Sequence, residues 1–232
     1  MRRLLPEPAA DIDPYAAYGD VTGPWLRVGM VMSADGSATD AEGWTDGLGG
    51  AADFRVFRTL RALADAILVG AETVRTGRLG PARLRPDLRV RRGRPPAPIV
   101  VVSRSLDLDW SLPLFTAAET PTLVVTSAAG AARAPAGIPL VVAGEDAIDF
   151  GAAVRALRDR GLAHLLCEGG PALTASLLAA GLVDELCLNL APTLVGDPGG
   201  PRLLGAASPA ELELTALYTD EQVLFLRYRP RT

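Results

Sequence analysis

The stretch His164-Leu165-Leu166-Cys167-Glu168-Gly169-Gly170-Pro171-Ala172-Leu173-Thr174-Ala175-Ser176 reads as strand, turn and helix in direct succession. The apolar run ends on a carboxylate, and two glycines let the backbone approach a neighbour closely. Pro171 stands where the first turn of a helix tolerates a missing N–H. A helix from Ala172 to Ala180 follows, ended by Gly181. Free backbone N–H groups at such a helix start suit a pyrophosphate, and Glu168, at the carboxyl end of the strand, faces the same crevice. An ordinary strand-to-helix turn with a solvated Glu168 fits these residues equally well.

Working outward, the same alternation recurs. Ile99–Val102, Thr122–Val125 and Leu140–Val142 are β-branched runs bounded by turn residues, as buried strands of an α/β sheet should be. A helix from Phe150 to Arg160 precedes the His164 strand, and Asp184 to Leu190 is a strand after it. Earlier in the chain, Trp25 to Val31 is a buried strand, Ser33 to Gly50 a glycine-rich loop, Ala51 to Leu63 a helix and Ala66 to Val69 a short strand. Glu211–Leu217 and Val223–Tyr228 form a closing antiparallel hairpin. The fold class is therefore α/β: a mixed, mostly parallel sheet with flanking helices and a C-terminal hairpin. Residues 1–24, with Pro6, Pro8, Pro14 and Pro24, read as an arm draped on a single domain of residues 25–232. Arg75 to Pro98 reads as a long excursion on the surface or over a ligand.

Composition removes whole classes of chemistry. All 23 basic residues are arginine and there is no lysine, which excludes a Walker lysine, a Schiff-base lysine and a lysine base together. One histidine, His164, and two distant cysteines, Cys167 and Cys187, give no metal site. A serine hydrolase would need His164 beside a nucleophile elbow, and none is present. A net charge of −4 argues against a general nucleic-acid binder. No apolar run approaches the ~18 residues of a membrane span, and the N-terminus has no signal-peptide pattern, so the expected location is cytoplasmic.

Three strand ends carry candidate binding groups. Beyond Glu168 to Pro171, Val69-Gly70-Ala71-Glu72-Thr73-Val74 repeats the strand-glycine-cap geometry, with a local Thr73 turn bond as its plainer reading. Ser103-Arg104 follows a strand directly, and a guanidinium there suits the 2′-phosphate of NADP as well as it suits plain solvent. Polar ends of neighbouring parallel strands converge on one crevice. Gly47-Leu48-Gly49-Gly50-Ala51-Ala52 matches a dinucleotide fingerprint formally, but no strand precedes it, so a substrate loop is preferred.

Ser33-Ala34-Asp35-Gly36, Leu60-Arg61-Ala62 with Asp65 to Val74, Glu168 to Pro171, Leu182 to Glu185 and Leu190 to Gly196 together resemble the reductase domain of the riboflavin-biosynthesis deaminase-reductase. That family has a dihydrofolate reductase-like fold. The resemblance runs from about Trp25 to Tyr228 and lacks the deaminase's zinc signature. It implies NADPH as hydride donor and a pyrimidine bearing a ribosylamino phosphate as substrate, such as 5-amino-6-(5-phosphoribosylamino)uracil. It places the cofactor on Val31, Trp44, Gly70, Thr73, Val74, Ser103, Arg104, Gly169, Gly170, Pro171, Ala172, Leu173 and Thr174. It places the substrate on Arg61, Glu168 and Asp53, the last of which also reads as a first-turn carboxylate favoured by the helix dipole. Asp35 and Glu168 would orient the ring and relay protons. Relatives pair as homodimers, which points to the strands Glu185–Leu190 and Val223–Tyr228 as part of an interface.

This chain departs from the family pattern twice. Ser37 stands where the family usually has Lys or Arg, and Gly77 where it usually has Asp. The substrate is therefore open between the riboflavin intermediate and a dihydrofolate or other pterin, and a non-catalytic NADPH-binding homologue is the reading from a different class.

Overall fold

The computed structural model describes residues 1–196, 200–204 and 209–231. Its strands are β1 (Arg2–Leu5), β2 (Trp25–Ser33), β3 (Ala66–Gly70), β4 (Ile99–Val102), β5 (Leu123–Thr126), β6 (Leu140–Val142), β7 (His164–Cys167), β8 (Glu185–Ala191), β9 (Leu212–Asp220) and β10 (Val223–Pro230). The helices are α1 (Pro14–Tyr18), α2 (Gly50–Leu63), α3 (Ala71–Arg75), α4 (Pro86–Arg92), α5 (Pro113–Thr116), α6 (Ala128–Ala131), α7 (Phe150–Arg158) and α8 (Pro171–Ala179). Among the described residues the strands make one ten-stranded sheet, ordered β1-β9-β10-β8-β2-β7-β3-β4-β5-β6. From β8 to β6 every pairing is parallel, and β10, β9 and β1 extend the sheet antiparallel.

The apolar runs form the parallel part because strands covered on both faces must be apolar at every position. Ile67, Val69, Ile99, Val101 and Leu166 face Val56 and Leu60 of α2 on one side. Ala66, Leu68, Val100, Leu165 and Cys167 face Val154 and Leu157 of α7 and Leu173 and Leu177 of α8 on the other. Both cores are continuous along the sheet, so the carboxyl ends of β2, β7 and β3 are rigidly placed side by side.

Residues 1–24 are built into the sheet rather than draped on it. β1 pairs with β9, and Tyr18 of α1 is fully buried. The cause is a buried ionic cluster: Glu185 lies between Arg27 and Arg227, whose remaining N–H groups bind the Tyr18 and Ala17 carbonyls and the Asp20 carboxylate. The Arg75–Pro98 excursion likewise contains a helix. α4 begins at Pro86, carries Arg89, Arg91 and Arg92 in its last turn and stops at Gly93 with φ +67°, the usual left-handed helix end.

Candidate active site

At the carboxyl ends of β2 and β7 a cleft opens under α2. Gly29, Met30 and Val31 of β2, Asp53, Phe54, Phe57 and Leu60 of α2, Leu166 and Glu168 beside β7, Asn189 of β8, and Thr45 and Asp46 of the preceding loop line it. Its apolar wall comes from Phe54 and Phe57, one helical turn apart, while Val56 points into the core and Leu60 bridges core and cleft.

Three carboxylates line the cleft, each in a different state. Glu168 takes a two-pronged bond from Arg61, Nε to Oε1 at 2.6 Å and Nη2 to Oε2 at 2.7 Å. Burial alone would lower the Arg61 pKa, but the Glu168 charge and hydrogen bonds outweigh it and hold the guanidinium above its usual value. The Arg61 guanidinium also lies 4.4 Å from the centre of the Phe57 ring. Asp46 is exposed, 4.0 Å from Arg78. Asp53 has no cation partner among the described residues. Its Oδ1 accepts from Asn189 Nδ2 at 2.6 Å, and burial pushes its pKa up against that bond, with nearby Asp46 adding to the rise.

Next to the cleft, two strand-to-helix turns meet. The Gly70 N–H donates to the Gly169 carbonyl at 2.9 Å, and a Cβ on Gly70 would lie 3.5 Å from the Gly170 nitrogen. No side chain caps α8 at Gly170, and the Ala172 and Leu173 N–H groups find no acceptor among the described residues. A Cβ on Gly170 would have only the Thr73 hydroxyl within 4 Å, at 3.9 Å. Uncapped N–H donors, open space in front of them and a free hydroxyl fit the pyrophosphate of a dinucleotide. The two half-sites adjoin at Met30, which lines the cleft and lies 3.5 Å from where a Gly169 Cβ would be.

Other expected contacts fall differently. Val31 lines the cleft, whereas Trp44 is half-exposed beside it under the Arg78 guanidinium, 3.9 Å from the ring centre. Val74, Leu173 and Thr174 have buried side chains, and the Thr174 N–H is taken by the Gly170 carbonyl, so of these three only Leu173, through its backbone N–H, has a donor left over. The Ser103 hydroxyl accepts the Leu106 N–H and is buried, while the Arg104 side chain is exposed. Arg61 is drawn to Glu168 instead of standing free for an anion. Asp35 lies outside the cleft lining: it accepts from the Ser33 hydroxyl and from the Val195 and Gly196 amides, which hold its pKa down to about 2. The carboxylate thereby ties the Ser33 turn to the Val195–Gly196 segment. Ser37 turns its hydroxyl onto the Thr39 carbonyl, and Gly77 ends α3's turn with φ +71°. His164 sits at the opposite end of β7, bound to the Gly23 carbonyl and the Asp65 carboxylate.

Asn189 went unmarked in the sequence, although one signal was there. It is the sole amide in the apolar strand Glu185-Leu-Cys-Leu-Asn-Leu-Ala, and alternation puts it on the α2 face with Cys187.

Several known proteins are similar to this chain. The 2,5-diamino-6-ribosylamino-4(3H)-pyrimidinone 5′-phosphate reductase of Methanothermobacter thermautotrophicus is 30% identical over 222 residues, 88% of this chain and 97% of its own. The enzyme of the same name from Aquifex aeolicus is 30% identical over 164 residues, 66% of this chain and 67% of its own. A pyrimidine reductase-like protein of Corynebacterium diphtheriae superposes with a TM-score of 0.80 at 28% identity, covering 95% of this chain and all of that one. Among the described residues no helix is long and apolar enough to cross a membrane. The family model for the RibD C-terminal domain matches residues 24–226, and the chain belongs to that family of riboflavin-pathway reductases.

Proposed function

We infer that this chain is an NADPH-dependent reductase acting in the cytoplasm on a ribosylaminopyrimidine 5′-phosphate. The observation that carries the reading is the junction at Met30 between a cleft walled by aromatic rings and carboxylates and a helix start with unpaired N–H donors. The names of the relatives point to the same chemistry.

The nicotinamide, when bound, supplies the hydride that reduces an imine-type carbon of the substrate. The protein's part is placement and electrostatics. Gly169 and Gly170 keep the turn clear of side chains, the first turn of α8 and Thr73 offer donors to the pyrophosphate, and Phe54 and Phe57 give the ring an apolar wall. Glu168, neutralised by Arg61, keeps a fixed polar edge in that site without adding net charge. NADPH is favoured over NADH by the arginines around the Ser103–Asp107 turn. Arg75 Nε binds the Asp107 carbonyl and Arg133 Nη2 the Arg104 carbonyl, gathering positive charge beside the exposed Arg104.

The chain also acts as a homodimer in this reading. Leu188, Leu190, Leu224 and Leu226 share one face of β8 and β10 by register and remain half-buried, a patch suited to a second copy. Calorimetric titration with NADPH, followed by turnover of ribosylaminopyrimidine and dihydrofolate substrates, tests the function. NADPH binding with turnover of the pyrimidine alone is expected. Turnover of dihydrofolate alone, or binding with no turnover, would favour the pterin-reductase or the non-catalytic reading.

A further inference from the structure

At the amino end of β7, under the far end of α2, lies a second cavity of about 80 Å³. Leu63 and Ala64 belong to it alone, whereas Leu60 and Leu166 also line the cleft. Those two leucines close over Gly29, where a Cβ would lie 3.2 Å from Leu60 Cδ1 and 3.3 Å from Leu166 Cδ1. The two cavities thus stand back to back across one layer of side chains. Two buried donors on the second cavity find no acceptor. Arg27 gives Nε to Glu185 and Nη2 to the Tyr18 carbonyl at 3.0 Å, but Nη1 has no acceptor among the described residues. The Trp25 indole Nε1–H is buried without a partner there. Charge is unbalanced in the same sense. Arg27 and Arg227 share one buried carboxylate, Glu185, while the other acid on Arg227, Asp20, is exposed. Arg229 lies 5.5 Å from the centre of the Trp25 ring and adds a further cation. The carbonyl end of α2, which would repel an anion, is covered by Arg92 on the Ala62 and Ala64 carbonyls. Asp65, whose carboxylate takes the His164 N–H, is paired with Arg94. A buried cation and a buried N–H that both lack acceptors mark a place for an anionic one.

We propose that this cavity is a binding site for a short-chain monocarboxylate, distinct from the cleft. The carboxylate accepts from Arg27 Nη1 and Trp25 Nε1, and the hydrocarbon tail lies against Leu60, Leu63 and Leu166. Size sets the chain length: a cavity of ~150 Å³ takes a benzene ring, so one of about half that volume takes a tail of about three carbons, as in butyrate. Chemistry sets the head group. A neutral amide brings further donors to a place where Arg27 and Trp25 already lack acceptors, and an amine brings charge of the wrong sign. A phosphate offers the leucines no apolar side. Binding here needs neither a nicotinamide nor a pyrimidine, so the inference stands apart from the reductase reading.

Proton–nitrogen NMR titration of the full chain with butyrate, butyramide and butylammonium tests this. The three tryptophans, Trp25, Trp44 and Trp110, each give an indole N–H signal. The Trp25 signal should move saturably with butyrate, with a dissociation constant of about 1 mM for so small a ligand, while the other two stay still. Butyramide should bind at least about tenfold more weakly, and butylammonium should not bind. Trp25→Phe keeps an aromatic ring and loses the donor; followed on the Leu166 amide, it should weaken butyrate binding about tenfold. Arg27 also holds the N-terminal segment, so the ligand series tests its charge without disturbing the fold. A Trp25 signal that stays still at about 50 mM butyrate, as for a cavity holding only water, overturns the inference. Equal binding of butyrate and butyramide, or unchanged affinity in Trp25→Phe, overturns it as well. Movement of the Trp44 signal instead would place the acid in the cleft and overturn a separate site.

Discussion

Arg61 and Glu168 illustrate how a single side chain changes meaning between sequence and fold. The motif around Arg61 suggests a cation for the substrate; the structure spends that cation on a neighbouring carboxylate, with only 16% and 9% of the two side chains exposed. Removing the guanidinium alone leaves a poorly solvated carboxylate, so Arg61→Ala should lower unfolding stability by about 3 kcal/mol in urea titration. The double change Arg61→Met with Glu168→Leu should recover most of that loss yet abolish turnover. A loss well under about 1 kcal/mol in Arg61→Ala would mean that the pair is effectively solvated. Asp53 gives the opposite sign. Burial raises its folded pKa, so the native state binds that proton more tightly than the unfolded chain, and stability falls as pH rises through the folded pKa. Asp53→Asn should therefore be more stable than the wild type at neutral pH, with the advantage vanishing near about pH 3; an advantage that grew on acidification would contradict this. Glu168, singled out at a strand end, and Asp53 and Val31, singled out by the family resemblance, do line the cleft. Asn189 and the tethering of Asp35 depend on contacts 136 and 160 positions away in the chain, beyond the reach of local pattern.

Elements were easier to read than contacts wherever burial dictated the pattern. The parallel strands and α2, α7 and α8 lie where the apolar runs and helical spacing place them, because both sheet faces are covered. β1 and α1 were missed since Arg2–Leu5 has no strand signal of its own and is recruited by β9. α4 did carry signals, Pro86 at its start and Gly93 at its end, hidden within an arginine-rich run. In the proposed function, cofactor binding rests on the turn from β7 to α8. Gly170 has φ −69°, which any residue adopts, and a Cβ there meets little protein. Gly170→Ala should thus leave the melting temperature within a few degrees while weakening NADPH binding by about tenfold or more, since the methyl enters space facing the uncapped N–H groups. Thr73→Val should weaken binding less. Full NADPH affinity in Gly170→Ala would remove the cofactor from this turn.

At the scale of the molecule, the all-arginine composition gains a positive content. Arg27 and Arg227 enclose Glu185 and stack on Tyr18, and Arg61, Arg78 and Arg91 each combine a carboxylate with an aromatic face. A planar guanidinium does both at once and an ammonium does not. The absence of lysine that narrowed the chemistry is thus also a record of how the N-terminal segment, the cleft and α4 are fastened. The leucine face of β8 and β10 sets the expected assembly: Leu226→Glu should convert a dimer to a monomer in sedimentation velocity, and a wild type that sediments as a monomer would contradict the pairing. In the proposed reaction, hydride passes from NADPH to the sugar-derived carbon of a ribosylaminopyrimidine phosphate. Mass spectrometry of the product formed with NADPH deuterated at the nicotinamide C4 tests it most directly. A deuterium on the carbon of the ribityl chain joined to the ring nitrogen is the expected result; label in the pyrimidine ring, or NADPH bound but never consumed, would contradict it.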